Sequence, residues 1–436
     1  MRILKAGSSD FQETFDSLIL RRQTLMDELS SEVDSFFAKY RSRREEALVE
    51  WAKEFDHVEL DEAGLWVDED FIKSAHKLVS KDIRKAIDHA KDRIERFQSE
   101  LKLPSFQSNE ESGVFWGTEV RPLDRVGVYV PGGRANYFMT LLLCAVPAKI
   151  AGVKDILLAS PPRKKLGKPF IEPTLLYLAK TFSISKILLA GGVGAMAAMA
   201  FGTKKTLPVE KIFGSGGKRA AVAKLKLSGY IGVEGLSGPS ETAFVCDKTT
   251  SVKQIAADII GKADHDPDAE IFVFHSDAKW MEELVQRLAQ SVETSKNHLE
   301  RSSIQACLEK RTTLFIVKSL DDAIEKVNQL TPGVVCLAVD DASKYIPEVK
   351  SCGSLLLGHY TPPVGLDLVG GASGLVSTLG SAAFSVSMSP ASFVRRFTVM
   401  EFDKPALERL QKESISLAKE EGFLTHEAAL QSRFED

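Results

Sequence analysis

The densest set of chemically capable side chains lies in residues 238–268, which open on Gly238-Pro239-Ser240-Glu241 and close on the run GKADHDPD. Residues 242–246 read as a strand. A helix follows Thr249-Thr250-Ser251, whose hydroxyls can cap free backbone donors, and Ile255, Ile259, Ile260 and Ala263 recur in it at helical spacing. Asp258, Lys262 and His265 occupy the adjoining strip. Residues three and four apart share a helix face, so Lys262 and His265 point together into whatever that face lines. Two chemistries fit the pattern. One is a solvated face with an ion pair between Asp258 and Lys262 and an ordinary surface histidine; the other is one wall of a metal or substrate site. The spacing alone leaves both open.

Such a wall needs a scaffold, and the chain outlines one. Residues 10–103 read as helices, with Phe11, Phe15, Leu18 and Ile19 on one face and Ile83, Ile87, Ala90, Ile94 and Phe97 on another, the latter capped by Ser80. These helices serve either as intersubunit arms or as ordinary packing on the parent domain. At 113–130 the character changes: β-rich runs around Trp116 and Val126-Gly127-Val128-Tyr129-Val130 end in the sharp turn Pro131-Gly132-Gly133. Helices 137–151, 171–181, 195–201 and 219–225 then alternate with strands 156–159, 187–190, 212–213 and 230–233. The alternation resumes with strands 271–274, 314–317, 334–338 and 354–357 and helices 279–292 and 320–330. This is the signature of an α/β fold with parallel sheets covered by helices on both faces. Residues 367–389, rich in Gly and Ser and poor in charge, read as a long ordered loop of the kind that is usually functional. Strand 397–402 and helices 405–421 and 426–433 close the chain.

Two glycine-rich turns follow predicted strands, Gly191-Gly192-Val193-Gly194 and Gly214-Ser215-Gly216-Gly217. Backbone donors at a helix start can hold a cofactor phosphate, but neither turn completes the Gly-x-Gly-x-x-Gly pattern and no acidic residue stands where a ribose would be read. Tight turns in an α/β sheet account for them equally well.

Composition narrows the partners. With 436 residues the chain can bury a large core over at least two domains, and a net charge of -4 argues against nucleic acid or an anionic membrane as the main partner. A small molecule or another protein is expected instead. The five cysteines, 144, 246, 307, 336 and 352, sit mostly in apolar runs without Cys-x-x-Cys spacing, as reduced core residues of a cytoplasmic protein do. The N-terminus lacks an apolar stretch of signal-peptide length, and no run of about 18 apolar residues occurs.

Taken together, VGVYVPGG, CAVPAKIAGVKDILLASPP, AFGTKKTLPVEKIFGSG, GPSETAFV, ADHDPDAE, GSLLLGHYTP and EGF..H closely resemble the histidinol dehydrogenase family over nearly the whole chain. The resemblance implies two incomplete Rossmann-like domains with parallel sheets plus small helical N- and C-terminal domains. Boundaries are then expected as 1–112, 113–236, 237–390 and 391–436. It implies an intertwined homodimer whose active site draws on both chains, and oxidation of L-histidinol through the aldehyde to L-histidine with two NAD and a zinc ion.

Carried over residue by residue, that machinery is half present. His265, Asp367 and His426 match zinc ligands, but the fourth ligand, a Gln in the family, falls on Lys262. Ser240 and Glu421 match substrate contacts and Tyr129 matches a cofactor-side Tyr, whereas the cofactor-contacting Gln and Asn fall on Gly194 and Gly217. The catalytic Glu-His pair falls on Gly333 and Val334, and an Asn-His of the long loop on Ser373 and Gly374. Oxidising an alcohol needs a base for the hydroxyl proton, and Gly and Val supply none. A protonated Lys cannot ligate a cation, and two cofactor hydrogen bonds are gone, so zinc and NAD binding are both expected to be weakened. The expectation is a homologue that keeps a small-molecule cleft and the dimer but does not oxidise L-histidinol. Two alternatives stand beside it: a working NAD- and zinc-dependent enzyme that takes its acid/base groups from elsewhere, for example His359, and a non-catalytic binding or structural dimer.

Overall fold

Strands that read as unbroken apolar runs are buried on both faces, as a parallel sheet between helix layers requires; every residue of Glu241–Cys246 and Val334–Ala338 is buried. The computed structural model describes residues 1–132, 135–165, 168–294 and 298–434, so Gly133 of the predicted turn lies outside it. Among the described residues the parallel strands sort into two sheets. The first runs Gly232–Val233, Lys211–Phe213, Arg125–Tyr129, Asp155–Ser160, Lys186–Leu189. The second runs Arg2–Lys5, Thr312–Ile316, Glu270–His275, Glu241–Cys246, Val334–Ala338, Ser354–Leu357. The α/β reading with two incomplete Rossmann-like sheets holds.

Both sheets are wound alike. The chain enters at a central strand, Arg125–Tyr129 or Glu241–Cys246, steps outward on one side, and returns on the other side of that strand. Each sheet therefore has a switch point beside its entry strand, the place where crossovers diverge and leave a crevice. Helices Phe138–Ala151 and Gly192–Phe201 are apolar nearly all round and buried along most of their length, so they belong inside the layers and not on the surface. Gly127 lets one of them close in: a Cβ there would stand 2.7 Å from the Met199 sulfur.

Of the two roles read for the N-terminal helices, packing on the parent domain is the one seen for Ser9–Ile19. Phe11 and Phe15 are buried, and both rings meet Phe315 of the second sheet edge-on at 5.1 and 5.9 Å. Among the elements that went unread in the sequence, two belong to the second sheet and its cover. Arg2–Lys5 is a four-residue edge strand, too short to show alternation, that pairs with Thr312–Ile316. His298–Arg311 is a helix whose buried Ile304, Cys307 and Leu308 sit among polar residues that blur its period.

Leu103–Pro122 and Val394–Asp436 form a separate compact unit. In it Val114–Pro122 pairs antiparallel with both Phe106–Ser108 and Val394–Phe402, and helices Lys404–Glu420 and Leu424–Gln431 follow. The β-rich run around Trp116 is thus a strand of this small sheet. No helix among the described residues is long and apolar enough to cross a membrane.

Candidate functional site

A cleft of ≈ 500 Å³ opens where the carboxyl edge of the first sheet faces the amino edge of the second. The first sheet brings its switch point: Pro131 and Gly132 follow one strand, and Ser215, Gly216 and Gly217 follow its neighbour. The second brings Ser240 and Thr242 from the start of its entry strand and Val334 from the start of the next. Lys262, His265 and Asp367 add charged and polar lining, and Phe138, Leu143, Leu375 and Val376 apolar lining.

Helix Val252–His265 forms as its periodicity predicts, with Ile255, Ile259 and Ala263 in the core and Ile260 only partly covered. Its remaining strip is mixed, with Lys262 buried, Asp258 half-buried and His265 exposed. Lys262 is 8 % exposed, and its ammonium donates to Asp367 Oδ2 at 2.8 Å. The ion pair read between Asp258 and Lys262 is therefore replaced by one between elements far apart in sequence. Asp258 is instead half-buried, and burial pushes its carboxyl up to about 6 against the pull of Lys262. His265 is lowered below the usual imidazole range by burial first and by the Lys262 charge second, with Asp367, Asp266 and Asp264 opposing. Its ring meets Tyr137 edge-on at 5.2 Å, and the Tyr137 hydroxyl donates to the His265 carbonyl at 3.0 Å. At the strand start, the Ser240 backbone N–H donates to Asp266 Oδ2 at 3.3 Å, leaving the buried Ser240 Oγ with no partner. The sequence reading did not single out Tyr137 or Asp266, although Asp266 before Pro267 is a turn-forming signal that was there to be read.

The loop after Asp367 packs against Gly333. A Cβ at Gly333 would stand 2.9 Å from Val376 Cγ2 and 3.1 Å from the Ser377 carbonyl oxygen. At Gly374 it would stand 2.3 Å from Asp367 Oδ1, so the loop approaches that carboxylate only because residue 374 has no side chain. Five hydrogen bonds tie the loop to residues 236–241: Ser237 Oγ to the Val376 carbonyl, Gly238 N–H to Thr378 Oγ1, Thr378 N–H and Thr378 Oγ1 each to the Leu236 carbonyl, and Leu379 N–H to Glu241 Oε1. Glu241 is itself buried and gripped by Arg21 through two contacts of 2.6 and 3.0 Å. Ser373 is buried and its Oγ accepts from Leu375 N–H.

Tyr129 and Gly194 do not line this cleft. Tyr129 is buried, its hydroxyl accepts from Gly192 N–H at 2.9 Å, and burial pushes its phenol up to about 12. Gly194 lies under Trp51, 3.1 Å from where its Cβ would be. Glu421 and His426, in the small unit, are both exposed in the single chain, with the His426 ring 4.7 Å from Phe423. His359 sits 3.2 Å from Thr249 Oγ1 and 3.4 Å from Asp340 Oδ1, at the carboxyl edge of the second sheet. That is the edge opposite the cleft, so His359 is not placed to replace the missing base.

Zinc requires lone-pair donors on every corner the protein supplies. At position 262 the cleft presents an ammonium, which has three donors and no lone pair, already seated on the carboxylate a metal would use. These residues do not fit a zinc ion. The fit to a dinucleotide is partial. Helix Lys218–Leu227 begins at Gly217 with no side-chain cap and open space beside it, as a phosphate site needs, but the Lys218 ammonium is spent on Asp268 at 2.5 Å.

Two half-Rossmann sheets with a crevice between them mark an α/β protein built to hold a small ligand. Comparison makes the assignment specific. The histidinol dehydrogenase family profile matches residues 19–434. The histidinol dehydrogenase of Clostridium acetobutylicum is 32% identical over 436 residues, covering 100% of this chain and 99% of that one. That of Geobacter sulfurreducens is 33% identical over 428 residues, covering 98% of each. The crystal structure of histidinol dehydrogenase from Elizabethkingia anophelis superposes with a TM-score of 0.87 at 26% identity, covering 100% of this chain and 98% of that one. The chain belongs to the histidinol dehydrogenase family, a family of NAD- and zinc-dependent oxidoreductases of histidine biosynthesis that are typically homodimers.

Proposed function

We propose that this chain is a family member that keeps the two-sheet scaffold and a small-molecule cleft but does not oxidise L-histidinol. One observation supports the reading: Val376 fills the space a side chain at 333 would need, and the resemblance to the family lays its acid/base pair on Gly333 and Val334. Hydride cannot leave a carbinol carbon unless a base takes the hydroxyl proton, and neither residue titrates. In this reading the cleft residues Ser240, His265 and Asp367 serve ligand binding. Lys262 supplies the positive charge that zinc supplies in the family, so metal occupancy is weakened. Tyr129 keeps its place beside the Gly191 turn, while Gly194 and Gly217 leave NAD with fewer polar contacts. The two parallel sheets act as the two half-sites. The protein works as a homodimer in which Glu421 and His426 of each chain serve the other chain's cleft. Expression in a histidine auxotroph that lacks histidinol dehydrogenase tests the reading: no growth without histidine is expected, and growth at the level given by an authentic enzyme overturns it.

A further inference from the structure

We propose that the cleft receives a small carboxylate with an apolar body, its head held by the Lys262 ammonium and the Ser240 hydroxyl. The proposal rests on the reading of this cleft as a ligand site and names what the site takes.

The head group follows from donors left without acceptors. Lys262 is 8 % exposed, and one of its three N–H groups goes to Asp367; the other two have no acceptor among the described residues. An ammonium so far removed from water needs its donors answered. Ser240 Oγ, also buried and also lining the cleft, makes no hydrogen bond at all. The two belong to one wall, because Ser240 N–H is tied to Asp266, which caps the helix end that carries Lys262 and His265. An ammonium donates only, and a hydroxyl turned toward it donates best to an oxygen they share. The matching head is a group with several lone pairs on adjacent oxygens and negative charge, which is a carboxylate. Asp367 carries like charge, but its side chain is 32 % exposed and water screens it, whereas the ammonium beside it is nearly enclosed. A cationic head would bring a second positive charge against Lys262 and no lone pair to receive its protons.

The body follows from the apolar side chains. Val334 and Val376, with Phe138, Leu143 and Leu375, give the cleft an apolar lining suited to an aromatic or branched hydrocarbon portion.

Calorimetric titration of the full-length protein with hydrocinnamate, the corresponding alcohol and the corresponding amine tests this, since the three share one body and differ only in the head. Hydrocinnamate is expected to bind about tenfold or more tighter than the alcohol, with the amine weakest. Ser240→Ala removes a hydroxyl that holds nothing in the fold; it should weaken hydrocinnamate several-fold and the alcohol less. Lys262→Met should abolish the preference for the carboxylate. Equal binding of the three probes, a preference for the amine, no binding by any of them, or a preference that survives both substitutions each overturns the inference. A chain that oxidises L-histidinol yet prefers hydrocinnamate sinks the proposed function and spares this inference, and a silent chain that prefers the amine does the reverse.

Discussion

At the scale of single residues, Lys262 determines what kind of cation the cleft can hold. Its ammonium sits on Asp367 at 2.8 Å and brings a positive charge and no lone pair, so a divalent ion there meets repulsion and no ligand from position 262. Lys262→Gln should reverse both effects: the variant is expected to gain zinc and a zinc-dependent rise in Tm, while the parent protein melts alike with zinc or chelator. Elemental analysis and thermal melts of both proteins check it, and near one zinc per parent chain would contradict it. Position 333 makes a second prediction. Rebuilding the pair with Gly333→Glu and Val334→His places a Cβ 2.9 Å from Val376 Cγ2, and overpacking of this kind costs about 1–3 kcal/mol. Urea unfolding should show that loss, and adding Val376→Ala should recover most of it; an unchanged midpoint in the double variant would mean that the loop yields freely. The sequence pointed to 262, 333 and 334 as the altered positions. It could not show that Lys262 reaches Asp367, or that Val376 fills the space beside Gly333, because both contacts join residues whose nearness only the folded loop creates.

At the scale of elements, what was legible tracks the strength of the local period. Helix Val252–His265 and strand Val334–Ala338 were readable because their apolar residues recur over enough length to outweigh chance, whereas the four-residue strand Arg2–Lys5 was not. The loop 367–389 was read as ordered from its composition. What orders it, the hydrogen bonds to residues 236–241 and the buried pair of Arg21 and Glu241, was out of reach of any local pattern. The turn that starts helix Gly192–Phe201 carries a device of its own. The Asp56 carboxyl accepts from Gly191 N–H, and burial pushes it from 3.8 up to about 7. Because the folded state holds the proton more tightly than the unfolded one, the sign is fixed: stability is greatest below about 4, falls as pH rises toward about 7, and is flat beyond. Asp56→Asn keeps an oxygen for Gly191 and cannot ionise. Its Tm advantage over the parent should therefore grow between those two pH values and then level off, and a gap that does not change with pH would contradict the assignment.

At the scale of the whole molecule, each sheet is a half-Rossmann unit, and the cleft joins the switch point of the first to the amino edge of the second. The α/β class and the order of strands and helices were legible because alternation is a long-range rhythm. The pairing of Val114–Pro122 with Val394–Phe402 was not, because nothing local in either strand names its partner. The small unit exposes Met400 and Phe402 on one strand and Trp116, the cross-strand partner of Met400, on another, an apolar surface that suits burial against a second copy. Sedimentation at micromolar concentration should find a dimer, and a stable monomer would contradict the homodimer reading.

The central claim is tested most directly by mixing purified protein with L-histidinol, NAD and zinc and following NADH, beside the Clostridium acetobutylicum enzyme under the same conditions. Absence of the acid/base pair alone predicts a rate lower by about 10²–10⁴-fold, with the occupied metal position and the thinner cofactor contacts deepening the defect. A rate within about tenfold of the comparator would contradict the account, because no group near Val334 would then be needed to take the proton.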